Sequence, residues 1–217
     1  MRLGQPVKWI SDRSEAFLSD AHGRDNLTTG ELALDADGKF LGLRVTTIAN
    51  LGAYLMATGT NPPVINLGTL AGVYTTPAIH VDVTAVFTNT NPMRPYRGAG
   101  RPEAAYVIER MVDIAAAETG IDPTELRRRN TIPPDAMPYK TALTYTYDSG
   151  EFEKNMDIAL EMSGYTEFEQ RRAAARASGK LRGIGLSNTI ERAAAGGIEG
   201  GEIRFDRSGT VTILSGP

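Results

Sequence analysis

The chain contains no cysteine among its 217 residues and only two histidines. The absence of thiols excludes disulfide bonds, a thiolate nucleophile and a cysteine-ligated iron–sulfur cluster within this chain. His22 and His80 alone give little material for a metal site built from imidazole ligands. The sequence therefore predicts no metal site made from the chain's own side chains.

A charge excess and a long apolar run are also lacking. The net charge of −3 and the isoelectric point near 5.5 leave no basic face for a nucleic-acid backbone. No apolar run approaches the ~20 residues that cross a membrane. Because no signal peptide begins at Met1, we expect a cytoplasmic location, with the periplasm as the open alternative.

One loop, residues 91–103, leads directly into the clearest helix signal of the chain. From Glu103 the apolar residues recur at i, i+3, i+4 and i+7, which predicts an amphipathic helix to about Glu118. The loop itself carries two glycines and three arginines: Gly98, Gly100, Arg94, Arg97 and Arg101. Glycine permits positive φ, and the free N–H groups of a helix start attract anions. The loop suits an anion or a polar cofactor, and an ordinary turn with solvated arginines is the alternative.

Two common nucleotide-binding patterns do not fit this loop. The third glycine of a Gly-x-Gly-x-x-Gly pattern is replaced by Glu103, and no Gly-Lys-Ser/Thr is present. The sequence therefore excludes a Rossmann loop and a Walker loop here.

The order of helix and strand signals predicts an α+β fold, a mixed sheet with packed helices. An Asp-Gly turn joins Thr29–Leu34 to Lys39–Ala49 as an antiparallel hairpin, and His80–Asn89 alternates as a further strand. We expect the central helix to pack on a sheet that includes these three strands.

The remaining elements are predicted from shorter signals. Strands are expected at residues 7–10 and 181–190, and a hairpin at 202–214. Pro62 and Pro63 predict a break in any helix, whereas two helices between 148 and 179 form an αα-hairpin. We divide the chain into a first subdomain, 1–147, and the start of a second, 148–217. The first and last predicted strands lie almost at the two ends of the chain, which suggests an internal fragment.

Three consecutive arginines, Arg127, Arg128 and Arg129, end a further predicted helix. Asp122 is its expected N-cap, and Glu125 is placed to complete a capping box. The arginines favour the C-terminal end of the helix dipole, where they meet carboxylates or a partner. Glu103 and Glu109 are expected in a first-turn dipole contact and a helix-surface ion pair, respectively.

Longer stretches of the chain resemble a known family. Residues 95–104 read Pro-Tyr-Arg-Gly-Ala-Gly-Arg-Pro-Glu-Ala, followed by Ile-Glu-Arg at 108–110 and by residues 122–130. These stretches resemble the molybdenum-binding large subunit of the xanthine dehydrogenase and aldehyde oxidase family, and within it the branch of carbon monoxide dehydrogenase large chains. The resemblance implies part of a molybdopterin-binding domain.

The resemblance also implies roles for single residues. Arg97, with Tyr96 and Gly98 beside it, corresponds to the arginine of the loop that contacts the molybdenum cofactor. Ala99 corresponds to a residue that faces the substrate. Arg24 corresponds to a substrate-binding arginine that follows a glycine, and a surface arginine beside the neighbouring aspartate is the alternative. No catalytic residue is expected, because the family's general-base glutamate lies outside this chain.

For the activity, the resemblance implies hydroxylation of an aldehyde or an N-heterocycle carbon with water as the oxygen source. It further implies an FAD-binding medium subunit and a [2Fe–2S] small subunit as partners, in a dimer of heterotrimers. Carbon monoxide oxidation is not expected, because the position of the copper-binding cysteine is Gly98 and Cu(I) prefers a thiolate. We expect neither cofactor nor activity in the isolated chain. The alternative function is a non-catalytic docking or assembly module that uses the two arginine groups.

Overall fold

The computed structural model describes residues 3–191 and 200–215. Its helices and strands follow one another in chain order as α1 (Arg13–Ser19), β1 (Asn26–Leu34), β2 (Phe40–Asn50), α2 (Asn61–Val64), β3 (Ile79–Val86), α3 (Arg101–Thr119), α4 (Pro123–Asn130), β4 (Tyr139–Lys140), β5 (Thr146–Tyr147), α5 (Phe152–Met162), α6 (Phe168–Ala177), β6 (Gly201–Phe205) and β7 (Val211–Ser215). A 3₁₀ segment, Ile65–Ala71, follows α2.

The central sheet has the strand order β1-β2-β3 and is mixed. β1 and β2 form the predicted antiparallel hairpin, whereas β3 runs parallel to β2. Strand β2 alternates between buried and exposed residues, because one face of the sheet packs on the core. The predicted α+β architecture is confirmed.

Helix α3 covers the buried face of the sheet, as predicted. Ile108 and Val112 are buried on the helix, and they join Leu43 and Val45 of β2 in one apolar cluster. The helix spans 19 residues and ends at Gly120, which adopts the left-handed conformation at φ 74°. The middle of α3 is therefore packed against β2 of the sheet.

A buried ionic network joins α3 to α4. The Arg127 side chain is fully buried and donates from Nε to Glu109 Oε2 at 3.0 Å and from Nη2 to Asp113 Oδ1 at 2.9 Å. The Tyr74 hydroxyl donates to the other oxygen of Glu109. Burial, together with the Glu109 charge, raises the pKa of Tyr74 above its usual value. Glu109 is thus not in a helix-surface ion pair, and that prediction was wrong.

The same network holds the segment 186–188, where the sequence predicts a strand. Arg127 Nη2 donates to the Leu186 carbonyl at 3.0 Å, and the Asn188 N–H donates to Glu109 Oε2 at 2.9 Å. No described strand pairs with residues 181–190. The prediction of a strand there was wrong, because no described strand lies beside the segment, and Leu186 and Asn188 bond to side chains of the network instead.

Two further expectations about local structure were wrong. Val7, Trp9 and Ile10 are exposed and form no strand, since no described strand lies beside them. Pro62 and Pro63 lie within α2 and do not prevent it, because the first turn of a helix needs no N–H from these positions. The boundary between residues 147 and 148 stays a prediction.

Candidate cofactor-binding site

Two loops that are distant in the sequence lie side by side at the start of α3. We call residues 21–25 the first loop and residues 91–100 the arginine loop. The His22 N–H donates to the Pro92 carbonyl at 3.2 Å, and the Arg94 N–H donates to the His22 carbonyl at 3.0 Å. A hydrogen bond between His22 Nε2 and the Asn91 carbonyl, 2.8 Å long, adds a side-chain contact. His22 therefore has a structural role between the loops.

Arg24 contacts the arginine loop through its guanidinium. Its Nη2 donates to the Arg97 carbonyl, and its Nε lies 3.3 Å from Glu103 Oε1. Its Cζ lies 5.2 Å from the centroid of the Tyr96 ring, in cation–π geometry. Asp25 instead accepts a hydrogen bond from Asn50 Nδ2 at 2.7 Å. Arg24 is an exposed residue beside Asp25, as the alternative expected, but its guanidinium contacts the arginine loop and Glu103.

The arginine loop turns through three consecutive residues with positive φ. The φ angles are 87° at Gly98, 48° at Ala99 and 98° at Gly100. A Cβ at Gly100 would lie 2.0 Å from the Pro62 carbonyl oxygen, so the loop packs directly on α2. Ala99 is not a glycine, and the left-handed conformation costs such a residue about 1–2 kcal/mol. The surrounding packing therefore fixes the loop in an unusual shape.

The N-terminal end of α3 offers fewer free amides than the sequence suggests. The Arg101 N–H donates to the Gly98 carbonyl at 3.2 Å, and Pro102 has no N–H. Glu103 adds a negative charge in the first turn. Positive charge at this site therefore comes mainly from guanidinium groups.

Arg94 and Arg97 are exposed, and their side chains have no ion pair or hydrogen bond within residues 3–191 and 200–215. Arg101 differs from them, because it pairs with Glu191. Tyr96 is also exposed, at 64% of its full surface. A planar cation with five N–H donors suits an anionic or hydrogen-bonding ligand. On the exposed face of the loop, the guanidinium groups of Arg94 and Arg97 are therefore available to bind a ligand.

All five residues predicted for the site lie in this two-loop arrangement: Arg24, Tyr96, Arg97, Gly98 and Ala99. Arg24 also lines an open groove of about 830 Å³ between β1 and α3, together with Thr28, Glu103 and Tyr106. Sequence reasoning missed the contact of Glu103 with Arg24. The opposite charges of the two residues were the only sequence signal for this contact. Because the residues are far apart in the sequence, that signal did not identify them as a pair.

The second arginine group does not belong to this site. Arg127 is buried, Arg128 pairs with Glu153 and Asp157, and Arg129 pairs with Glu125. The interpretation that these arginines meet carboxylates is confirmed. Because Arg127 is enclosed by the core, its guanidinium is not available to a docking partner.

The described part of the chain offers neither a metal-ligand cluster nor a membrane-spanning helix. It holds no group of three or more His, Asp or Glu side chains that could bind a metal ion. None of its helices is long and apolar enough to cross a membrane.

Comparison with known families gives a match over much of the chain. The molybdopterin cofactor-binding domain family matches residues 1–131. The gamma subunit of the 6-hydroxypseudooxynicotine dehydrogenase complex of Paenarthrobacter nicotinovorans is 36% identical over 99% of this chain and 28% of that protein. The carbon monoxide dehydrogenase large chain of Hydrogenophaga pseudoflava is 40% identical over 89% of this chain and 25% of that protein.

Solved structures agree with these relatives. Quinoline 2-oxidoreductase from Pseudomonas putida 86 superposes with a TM-score of 0.83 at 32% identity, covering 99% of this chain and 29% of that one. A Cu,Mo-containing carbon monoxide dehydrogenase superposes with a TM-score of 0.81 at 31% identity, covering 98% of this chain and 29% of that one. The chain thus spans between a quarter and a third of the length of these relatives.

Proposed function

The chain belongs to the molybdopterin cofactor-binding domain family, and from that premise we propose that it forms part of a molybdenum hydroxylase large subunit. In this proposal the arginine loop contacts the molybdopterin through Arg97, with Tyr96 and Gly98 beside it. The observation that carries the proposal is the exposed Arg97 side chain, which has no partner in the described part of the chain.

The residues present fit the chemistry of that cofactor. Molybdopterin carries a phosphate and a ring edge with several hydrogen-bonding atoms, and a guanidinium binds both kinds of group. The shape of the loop is already fixed by its contacts with α2 and with Arg24, so little ordering entropy is lost on binding. When bound, the cofactor supplies the hydroxylation chemistry, with water as the source of oxygen.

The proposed substrate is an aldehyde or an N-heterocycle. Relatives named for nicotine and quinoline substrates support the heterocycle. The chain has Gly98 and no cysteine where copper would need a thiolate, which argues against carbon monoxide. Ala99 is proposed to face the substrate.

The proposed partners are an FAD-binding medium subunit and a [2Fe–2S] small subunit, in a dimer of heterotrimers in the cytoplasm. Relatives named as subunits of enzyme complexes support an assembly of this kind. The 217-residue chain alone is proposed to hold neither molybdenum nor activity, because it spans only part of the length of its relatives.

Molybdenum and pterin analysis of the natural protein tests this function. We expect roughly one molybdenum and one pterin for each copy of this chain after purification with its partner subunits. A protein from molybdenum-replete cells that holds neither would overturn the proposal and favour a docking or assembly module.

The role of Ala99 is tested by Ala99→Phe in the same protein. A phenyl ring fills space in front of the substrate, so we expect molybdenum content to stay and the ratio of kcat/KM between a bulky and a small heterocycle to fall about 10–200-fold. Ala99→Gly is the matched control, since it retains the space and accepts the positive φ. An unchanged substrate ratio in Ala99→Phe would remove Ala99 from the proposed substrate site.

A further inference from the structure

Arg24 directs its guanidinium at three parts of the arginine loop and its helix. The Arg97 carbonyl accepts from Nη2, Glu103 lies beside Nε, and the Tyr96 ring lies under Cζ. These contacts hold the backbone of Arg97 and leave its side chain free. Arg24 thus has protein partners at both Nη2 and Nε.

Glu103 depends on Arg24 for its charge balance. Its side chain is 17% exposed, and its two carboxylate oxygens are buried without a hydrogen bond in the described part of the chain. Arg24 is the one cation that pairs with it there, at 3.3 Å. Loss of Arg24 would leave a mostly buried carboxylate unpaired, which is costly.

The two loops also lie in close contact at Gly23 and Tyr96. A Cβ at Gly23 would lie 2.5 Å from the Cβ of Tyr96, so the glycine before Arg24 permits this approach. Farther along the arginine loop, Ala99 holds its strained positive φ. A loop with such strain keeps its shape only where its surroundings determine it.

We infer that Glu103 and Arg24 form a clamp that positions Arg97 for the cofactor, and that Arg24 is a positioning residue and not a substrate contact. This inference rests on the proposed function. The clamp fixes the Arg97 carbonyl and the Tyr96 ring, so that the free Arg97 guanidinium is presented from a rigid backbone. Rigid presentation raises affinity by reducing the ordering cost of binding.

Two variants of the natural protein test the clamp, Arg24→Ala and Glu103→Gln. We expect each to lower molybdenum and pterin content several-fold, while the double variant is no worse than Arg24→Ala, because both act on one contact. The KM of the molybdenum-loaded fraction should remain unchanged. The matched control is the exposed pair of Arg44 and Glu31 on the sheet. Arg44→Ala and Glu31→Gln should leave the molybdenum content, the pterin content and the KM unchanged.

Hydrogen exchange separates a failure of the clamp from a failure of the proposed function. The Ala99 and Arg101 amides donate within the loop, to the Tyr96 and Gly98 carbonyls. We expect both to exchange about tenfold faster in each clamp variant, with or without cofactor, while amides at the centre of α3 keep their rates.

Unchanged exchange of these amides would overturn the clamp. The clamp would also be overturned if Arg24→Ala kept its full molybdenum content but had a raised KM, while Glu103→Gln had no effect. That result would make Arg24 a substrate contact. A wild-type protein without molybdopterin would overturn the proposed function and, with it, the clamp's part in cofactor binding.

Discussion

The arginines at the end of α4 and those of the arginine loop show two uses of the same residue type. Arg127 lies in the core, with Glu109 and Asp113 as ionic partners. Arg94 and Arg97 lie on the surface, and their guanidinium groups have no partner in the described part of the chain. The first group stabilises the fold, whereas the second leaves its charge available for a ligand.

The difference follows from the elements that surround each group. The end of α4 packs against α3 and faces α5, and both helices provide carboxylates, namely Glu109, Asp113, Glu153 and Asp157. Next to the arginine loop, Glu103 pairs with Arg24 of the first loop. A count of charges along the sequence cannot distinguish these cases, because the partners come from distant segments.

Removal of Arg127 should have the largest effect on stability. Arg127→Ala leaves Glu109 buried without its cation and removes the bond to the Leu186 carbonyl. We expect a loss of about 3–5 kcal/mol in the free energy of unfolding, measured by urea denaturation. A loss below about 1 kcal/mol would mean that the network adds little to the fold.

The N-cap of α4 gives an intermediate effect that depends on pH. Burial tends to raise the pKa of Asp122, but hydrogen bonds from Thr124 and Glu125 outweigh it and lower the pKa. A lowered folded-state pKa means that the stabilisation is present above the unfolded pKa of about 3.9 and is lost as the pH falls through the folded value.

Asp122→Ala should therefore cost about 1 kcal/mol in the free energy of unfolding at pH 7, and less at acid pH. Urea denaturation of both proteins at pH 7 and near pH 3 measures the difference, with Asp122→Asn as the control that keeps an acceptor without the charge. If the difference in free energy of unfolding between wild type and Asp122→Ala were the same at both pH values, hydrogen bonds to the Asp122 carboxylate would not be the cause of its lowered pKa.

Arg128→Ala tests the exposed members of the α4 group. Arg128 pairs with Glu153 and Asp157, and its side chain is 32% exposed. Partly solvated pairs contribute little, so we expect a loss of about 0–1 kcal/mol in the free energy of unfolding. A loss as large as that of Arg127→Ala would show that burial does not separate the two arginines.

Much of the fold could be predicted from periodicity and turn signals. The β1–β2 hairpin, α3 and α4 have strong local patterns, and all of them form. The expected strand at residues 181–190 fails because alternation alone does not supply a neighbouring strand. The expected capping box at α4 forms only in part: Asp122 caps the helix, but the Glu125 carboxylate pairs with Arg129.

The candidate site could be located from the sequence, but its internal contacts could not. The glycines and arginines of residues 94–101 mark the loop, and the family resemblance marks Arg24. That Arg24 binds the Arg97 carbonyl and Glu103 depends on two loops meeting in the fold. Periodicity and local motifs do not report contacts between such distant segments.

Arg97→Ala separates fold from cofactor binding, because it should have the smallest effect on the fold and a large one on the cofactor. An exposed side chain without a partner should change the free energy of unfolding by no more than about 0.5 kcal/mol. Removal of a charged hydrogen-bond donor should cost about 1.5–3 kcal/mol of cofactor binding. Arg44→Ala on the exposed face of β2 is the matched control.

The measurement is the molybdenum and pterin content of the natural protein, for wild type, Arg97→Ala and Arg44→Ala. We expect a clear loss of both molybdenum and pterin in Arg97→Ala alone, with wild-type stability in urea. Full molybdenum and pterin content in Arg97→Ala would contradict it, and the arginine loop would then be an ordinary turn before a helix.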